Sequence, residues 1–262
     1  MTEISAGMVK QLRDATSAGM MDCKRALQET DGDFDAAVKI LREKGMASAA
    51  KRADRETSEG IVLARVAGSV GTIVAVGCET EPVSKNEDFR AFADSVLDAS
   101  FEGGDPGDLE EQRVDVAAKL GENVQIVGSR RLEAGNGEFF DVYLHTPQNK
   151  IGALVLARGG SQELAHQLAL HIASARPSFT SRDQIPADLV DAEREILMKS
   201  DEVESKPAEV REKIVEGMLN KKFFGESVLL EQTWIHDGGL TVGKALQQGG
   251  LELVDYAWFS VN

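Results

Sequence analysis

Apolar residues recur at helical spacing in three short segments that together cover the first 45 residues. The pattern predicts helices over about residues 5–17 and 20–30, with Ser5 as a cap for the first. A third predicted helix begins after Asp33, whose carboxylate can accept a free backbone amide, and ends at Gly45. Three short helices of this kind predict a small packed module.

From residue 59 onwards the period of the pattern changes from that of helices to that of β-strands. Two apolar runs around a short glycine-containing turn predict a hairpin, and a helical segment follows them. The same order of hairpin and helix recurs about 80 residues later, which predicts an internal duplication. The predicted segments are residues 60–67, 71–78 and 86–100 in the first copy, and residues 139–145, 151–158 and 161–175 in the second.

A charged helical hairpin and further strands are predicted after the second copy. The hairpin covers about residues 184–222, and the strands cover residues 227–232 and 251–261. The whole pattern predicts an α+β fold in which helices cover antiparallel strands. The predicted domains are residues 1–54, residues 55–138, and residues 139–262 with the hairpin inserted in the last.

The composition is typical of a globular protein from a reducing compartment. The 44 acidic and 29 basic residues give a net charge of −15, which argues against duplex nucleic acid or an anionic membrane as partner. The two cysteines, Cys23 and Cys78, cannot make a disulfide framework. No apolar run approaches the roughly 18 residues of a membrane span, and the first residues lack a secretion signal. We therefore expect a cytoplasmic protein.

The negative charge is concentrated in one part of the chain. Residues 79–115 hold 12 acidic and 3 basic side chains, whereas residues 1–55 hold 9 acidic and 10 basic ones. Such a segment is typical of a solvated face. The alternative is a docking surface for a partner that is basic or that holds a cation. Both interpretations stay open at this point.

One segment imitates a phosphate-binding loop. Residues 238–244 fit G-x-x-x-x-G-K, but Ala245 follows where a magnesium-binding hydroxyl is required. We interpret Thr241 as a helix cap instead. His166 and His171 are five residues apart, which is not the spacing of a helical zinc pair. The residues therefore favour a protein without covalent chemistry of its own.

The connection between a predicted strand and helix at residues 78–86 has an unusual composition. Pro82 fixes one backbone dihedral and biases Glu81 away from helical backbone. Thr80, Glu81, Pro82 and Val83 are therefore predicted to form a stiff tip that presents a carboxylate. The alternative interpretation is an ordinary strand–helix turn.

Four segments resemble the translation elongation factor Ts family. Residues 16–27, T-S-A-G-M-M-D-C-K-R-A-L, are similar to the family's T-G-A-G-M-M-D-C-K-x-A-L. Residues 76–92 resemble its strand, T-D-F-V loop and F-x-A-F-A-D helix. Residues 168–179 are similar to A-x-H-x-A-x-x-x-P-x-F, and residues 215–223 carry V-E-G followed by K-K-F. The resemblance covers essentially the whole chain.

This resemblance implies a fold and a function. The implied fold is an N-terminal three-helix ubiquitin-associated-like module, a duplicated two-subdomain α+β core and an inserted helical hairpin. The implied function is guanine-nucleotide exchange on elongation factor Tu, whose GDP is released so that GTP can load. Because the family carries out no covalent chemistry and binds no nucleotide of its own, neither a cofactor nor a metal is expected.

The resemblance also implies which residues contact the partner. In the family the T-D-F-V loop displaces the Mg²⁺ ion of the GTPase. The matching residues are Thr80, Glu81, Pro82 and Val83, so that Glu81 stands for the usual Asp and Pro82 for the usual Phe. The acid is retained and the aromatic wedge is lost. The other implied contacts are Met20, Met21, Ile151, Gly152 and His171, although the two methionines are also compatible with a place in the module's core.

Two other functions remain as alternatives. In the first, the chain is a non-catalytic adaptor whose three-helix module binds another partner and whose core forms a homodimer; the loss of the aromatic wedge favours it. In the second, the chain is a nucleotide-dependent enzyme that uses residues 238–244. We also expect this chain to lack the C-terminal helical module that many family members carry.

Overall fold

The computed structural model describes residues 4–16 and 18–261, with 53% of the residues in helices and 23% in strands. Helices at the N-terminus and two three-stranded antiparallel sheets confirm the predicted α+β fold. Across these residues, no helix combines the length and the apolar composition needed to cross a bilayer. Residue 17, the predicted end of the first helix, lies outside the described residues.

The elements follow the order predicted from the sequence, with several additions. The strands are β1 (Glu59–Ala67), β2 (Val70–Cys78), β3 (Val124–Glu133), β4 (Glu138–Leu144), β5 (Ile151–Gly159) and β6 (Leu251–Ser260). The helices are α1 (Ala6–Thr16), α2 (Met20–Glu29), α3 (Phe34–Ala50), α4 (Glu81–Ser84), α5 (Glu87–Phe101), α6 (Glu110–Leu120), α7 (Gln162–Ala175), α8 (Ala187–Met198), α9 (Asp201–Glu204), α10 (Ala208–Met218), α11 (Gly225–Ser227) and α12 (Val242–Gly249).

Side-chain caps and a shared apolar core fix the three N-terminal helices. The hydroxyl of Ser5 accepts a hydrogen bond from the Met8 amide at 3.2 Å, and Asp33 accepts one from the Ala36 amide at 3.0 Å. Both caps satisfy amides that have no partner within the helix. The buried residues between the helices are Val9, Leu12, Cys23, Ala26, Leu27, Ala37 and Leu41.

The prediction that Gly45 ends the third helix is wrong, because α3 continues to Ala50. Gly45 lies instead where α3 packs against α6. A Cβ atom at position 45 would stand only 2.9 Å from the Cβ atom of Ala118. The missing side chain therefore allows the two helices to approach closely.

The first sheet has the strand order β1-β2-β3. β1 and β2 form the predicted hairpin, with Glu59 opposite Cys78 and Ala67 opposite Val70. β3, which the sequence pattern did not predict, pairs with the other edge of β2. α5 packs on β2 through an apolar face. The buried residues of this face are Phe89, Phe92, Ala93, Val96 and Leu97.

The second sheet has the order β4-β5-β6 and repeats the plan of the first. Each copy contains a hairpin, a helix that follows it, and a third strand that pairs with the second strand of the hairpin. The predicted duplication of the α+β core is therefore confirmed. The helix of the second copy, α7, is capped by Ser161, whose hydroxyl accepts a hydrogen bond from the Leu164 amide at 3.2 Å.

The inserted hairpin consists of α8 and α10, with the single turn α9 between them. Its buried residues include Leu197, Val203, Val215 and Leu219. The strand predicted at residues 227–232 is wrong. The chain there forms α11 and a 3₁₀ turn at Leu229–Glu231, with one isolated bridge between Phe179 and Val228. Val228 and Leu229 of this run are buried, but the backbone forms short helical turns and no β ladder.

Close contacts divide the chain into two compact units. The first contains residues up to 131, residues 144–151 and residues from 259 onwards, and the second contains residues 132–143 and 152–258. The chain therefore passes between the units four times. Because α3 packs on α6, the N-terminal helices and the first sheet belong to one unit. The domain boundaries predicted at residues 54 and 138 stay a prediction.

His171 is part of the core of the second unit, where only 1% of its surface is exposed. Its Nε2 atom lies 3.0 Å from the amide oxygen of Gln232, and its Nδ1 atom accepts a hydrogen bond from the Ile235 amide at 3.4 Å. The ring of Trp234 stacks on the imidazole with centroids 5.2 Å apart. Burial lowers the pKa of His171. These contacts describe a neutral histidine with its proton on Nε2.

The contact between Gly45 and Ala118 predicts an exception to helix propensity. Glycine-to-alanine replacement within a helix ordinarily stabilises a protein by about 1 kcal/mol. At position 45 the new methyl group would clash with a rigid Cβ atom, and overpacking costs about 1–3 kcal/mol. We expect Gly45→Ala to lower the free energy of unfolding in urea by about 1 kcal/mol.

Gly217 provides the matched control. It lies in α10, and a Cβ atom there would meet no other atom within 4 Å. Gly217→Ala should therefore stabilise the protein by about 0.5–1 kcal/mol. Adding Ala118→Gly to Gly45→Ala should restore the lost space. Stabilisation by Gly45→Ala alone would contradict the proposed packing role of position 45.

The environment of His171 predicts a stability that depends on pH. The unfolded chain binds a proton at this residue near pH 6.5, whereas the folded chain binds it only at lower pH. The unfolded state thus takes up the proton first, so the free energy of unfolding should fall as the pH drops below about 6.5. His171→Phe removes the titrating group, and it should flatten this part of the profile in urea unfolding.

Two further results check the assignment. His171→Phe should also lower stability at pH 8 by about 1–3 kcal/mol, because the Gln232 oxygen and the Ile235 amide lose their partner. His166→Gln, at a side chain that is 47% exposed, should keep the fall below pH 6.5. An unchanged pH profile in His171→Phe would show that other groups cause it.

Candidate functional site

The four residues predicted to form a stiff tip lie at the start of a single helical turn. Glu81 to Ser84 form α4, and Thr80 occupies the N-cap position with extended backbone. The expectation that Pro82 keeps Glu81 out of a helix is therefore wrong. Proline is tolerated in the first turn because the amide that it lacks would have had no helical partner.

Burial separates the outward from the inward residues of this turn. Thr80, Glu81 and Pro82 are exposed, whereas Val83 packs against the core of the first sheet. The hydroxyl of Ser84 donates a hydrogen bond to the Glu81 carbonyl at 2.8 Å, which closes the turn. The turn thus exposes one carboxylate and a proline ring to solvent, while Val83 anchors it to the core.

Two neighbouring side chains hold the carboxylate of Glu81. Its Oε1 atom accepts hydrogen bonds from Lys85 Nζ at 2.7 Å and from Gln148 Nε2 at 3.2 Å. The bond from Lys85 lowers the pKa of Glu81. The Glu81 side chain is 47% exposed, so its negative charge can attract a cation or compete for the ligands of one. Glu81 does not join a metal cluster, since the described residues contain no group of three or more candidate ligands.

Acidic side chains also fix the base of the turn, and no local pattern of residues predicts this role for them. Glu122 follows the C-cap Gly121 of α6, and its carboxylate accepts hydrogen bonds from the Thr80 amide at 3.0 Å and the Thr80 hydroxyl at 2.6 Å. Glu79 in turn accepts a bond from the Asn123 amide at 2.6 Å. Because these partners lie more than 40 positions apart, only the folded chain brings them together.

Met20 and Met21 begin α2 and are 58% and 64% exposed. The buried face of α2 is formed instead by Cys23, Ala26 and Leu27. The interpretation of either methionine as a core residue is therefore wrong. Two adjacent exposed methionines form a soft apolar surface that can adapt to a partner.

The remaining predicted contacts differ in exposure. Ile151 is half-buried and opens β5, where its carbonyl accepts a hydrogen bond from the His145 amide at 2.9 Å. Gly152 is buried. His171 is buried too, and it can influence a surface only through the segment that it holds, where Ile235 is 45% exposed.

The segment at residues 238–244 has the geometry of a capped helix. The Thr241 hydroxyl accepts a hydrogen bond from the Lys244 amide at 3.4 Å, as predicted for an N-cap. The preceding residues form turns, with one isolated bridge between Thr233 and Thr241. A phosphate loop requires a buried strand immediately before the glycines. The arrangement therefore does not support nucleotide binding by this segment.

The family model for elongation factor Ts matches residues 79–262 of this chain. The chain is 38% identical over 268 residues to elongation factor Ts of Serratia proteamaculans, an alignment that covers 100% of this chain and 93% of that protein. The corresponding protein of Idiomarina loihiensis is 38% identical over 271 residues, with 99% and 91% covered. Elongation factor Ts of Cronobacter sakazakii is 38% identical over 268 residues.

These matches include all four segments on which the resemblance was based, and they extend through both sheets and the inserted hairpin. A shared short motif would not produce 38% identity along the whole chain. The chain belongs to the elongation factor Ts family.

Proposed function

We propose that this chain is a guanine-nucleotide exchange factor that binds elongation factor Tu in its GDP-bound and nucleotide-free states. Its family makes it a translation elongation factor. The observation that carries the more specific proposal is the charged, exposed carboxylate of Glu81 on the anchored turn α4. By the resemblance of its sequence, this turn corresponds to the family's Mg²⁺-displacing loop.

The mechanism follows from how a GTPase holds GDP. Mg²⁺ and backbone amides around the phosphates provide most of the attraction. An exchange factor accelerates release when it binds the nucleotide-free state more tightly than the GDP-bound state. In the proposed complex, Glu81 lies near the Mg²⁺ site and weakens the hold on the ion. Partner affinity and nucleotide affinity are then coupled reciprocally.

Because Pro82 stands where the family pattern has phenylalanine, this turn can bury less apolar surface against a partner. A phenylalanine can bury about 150–250 Å², and a proline ring covers much less. We infer that the carboxylate and the stiffness of the turn provide more of the effect here, and apolar insertion less. Thr80 and Val83 set the position of the turn, and Val83 does so by packing on the core.

The rest of the proposed role needs no chemistry beyond binding. The chain makes and breaks no covalent bond, uses no cofactor and acts in the cytoplasm, where elongation factor Tu works. Met20 and Met21 supply exposed apolar contact. Ile151 and Gly152 contribute at the start of β5, and His171 contributes through the segment that it positions.

Stopped-flow release of fluorescent GDP from the cognate elongation factor Tu tests the proposal. The chain should accelerate release, and Glu81→Ala combined with Pro82→Ala should reduce the maximal rate at least about fivefold, the lower end of typical coupling between sites. Glu87→Ala is the matched control, since Glu87 is an exposed carboxylate in the first turn of α5. It should leave the rate unchanged.

The same assay separates the proposal from the adaptor alternative. An adaptor would bind its partner without changing GDP release, and in that case the wild-type chain would show no acceleration. Acceleration that survives both substitutions would mean that the turn is not what drives release. Calorimetry with GDP and GTP should detect no binding to the chain alone.

The two methionines predict an effect on affinity rather than on maximal rate. Met20→Ser together with Met21→Ser removes exposed apolar surface that we assign to the partner. We expect the half-saturating concentration in the release assay to rise about tenfold, which corresponds to about 1.4 kcal/mol. The free energy of unfolding should change by less than about 0.5 kcal/mol, because both side chains are exposed.

Met46→Ser is the control for this experiment. Met46 lies in α3, is 43% exposed and has no assigned contact with the partner. It should leave both the half-saturating concentration and the maximal rate unchanged. Equal effects of all three methionines would show that general surface character, rather than the start of α2, determines the affinity.

A further inference from the structure

Two acidic side chains and two backbone amides form a reciprocal clasp at the base of α4. The Glu122 carboxylate accepts hydrogen bonds from the Thr80 amide at 3.0 Å and from the Thr80 hydroxyl at 2.6 Å. The Glu79 carboxylate accepts one from the Asn123 amide at 2.6 Å. Each pair of adjacent residues thus offers one carboxylate and one amide to the other. Hydrogen bonds to ionised acceptors are about twice as strong as neutral ones.

The clasp is attached to backbone that is itself fixed. Asn123 is 1% exposed, and its Nδ2 atom donates hydrogen bonds to the carbonyls of Ala53 at 3.1 Å and Arg55 at 2.7 Å. On the other side, the buried thiol of Cys78 donates to the Thr80 carbonyl at 3.4 Å. Because Glu122 is adjacent to the fixed residue Asn123, its hydrogen bonds hold Thr80 in a defined position.

Thr80 uses its side chain in an unusual way. It occupies the N-cap position of α4, where a threonine hydroxyl ordinarily accepts a hydrogen bond from an amide of the first turn. Here the residue makes no such cap, and its hydroxyl donates to Glu122 instead. The orientation of the turn is thus set by a residue 42 positions away and not by the turn's own cap.

We propose that Glu122 is a positioning residue for exchange, which holds the Thr80–Val83 turn in the orientation that reaches the Mg²⁺ site of the partner. This inference rests on the proposed exchange function. Glu122 itself need not touch the partner. Its removal frees the amide and the hydroxyl of Thr80 at once, and displacements of about 1 Å can cost as much as a hundredfold in rate when geometry controls a step.

The test compares Glu122→Ala and Glu122→Gln with Asp94→Asn, a substitution at an exposed carboxylate on α5. In the GDP-release assay, Glu122→Ala should lower the maximal rate about tenfold while the half-saturating concentration changes less than about twofold. Glu122→Gln keeps one oxygen acceptor and should give an intermediate rate. Asp94→Asn should match the wild type. Thermal unfolding by circular dichroism checks that each variant is folded.

A double-mutant cycle separates positioning from a general structural effect. In the background of Glu81→Ala with Pro82→Ala the turn has lost its proposed active groups, so Glu122→Ala should cause no further loss of rate. A further loss of similar size in that background would overturn the proposal. So would a wild-type maximal rate in Glu122→Ala.

Hydrogen exchange of the Thr80 amide gives a readout that does not depend on the partner. Glu122→Ala should reduce protection of this amide at least about tenfold, while amides in the middle of β2 keep theirs. Unchanged protection would overturn the assignment of Glu122. If the wild-type chain did not release GDP at all, the exchange function would fail, whereas a normal wild type with an unaffected Glu122→Ala variant would refute the positioning role alone.

Discussion

The candidate site depends on the return of β3 to the side of β2. The two strands are antiparallel neighbours, so the first residue of β3, Val124, lies at the same end of the sheet as the last residue of β2, Cys78. Residues just beyond these ends, Thr80 and Glu122, are thereby brought within hydrogen-bonding distance. Without the third strand, the hairpin would end in a free loop. The pairing of β3 with β2 thus gives the connection between β2 and α5 a defined orientation.

The concentration of acidic residues between positions 79 and 115 has a mixed structural meaning. Several of these carboxylates pair with basic residues of the first unit, for example Asp88 with Lys119 at 2.7 Å and Asp98 with Arg65 at 2.6 Å. Surface pairs of this kind add about 0–1 kcal/mol each. Part of the negative charge is therefore met by basic side chains of the same unit, and the docking interpretation of the segment stays a prediction. Glu81 is paired as well, with Lys85 at 2.7 Å, but it stands on an exposed turn whose base is anchored.

Local sequence signals predicted the helix starts and the hairpins well. Ser5, Asp33 and Thr241 each accept a hydrogen bond from a backbone amide, as their positions suggested, because a cap involves only residues three positions apart. Gly45 was misinterpreted because a glycine gives the same signal whether it ends a helix or admits a neighbouring one. The choice between these roles depends on α6, which lies far along the chain.

β3 and the clasp were missed for a related reason. The strand contains Gly128, where the ring of Phe259 occupies the space that a side chain would need. It also carries consecutive arginines, so its alternation of apolar and polar residues is weak. Its place in the sheet is defined by pairing with β2, and the position of Glu122 follows from that pairing. Interactions between residues 42 positions apart leave no periodic pattern to read.

The four passages of the chain between its two units also affect how the protein is made. The first unit includes residues 144–151 and 259–261, and the amide of Val261 donates to the carbonyl of Lys150 within it at 3.0 Å. The fold of this unit is therefore still incomplete when the ribosome has synthesised residue 131. It closes only when residues 259–261 have emerged, after the whole second unit has been synthesised. During synthesis the N-terminal part of the first unit therefore folds before residues 259–261 of the same unit are present.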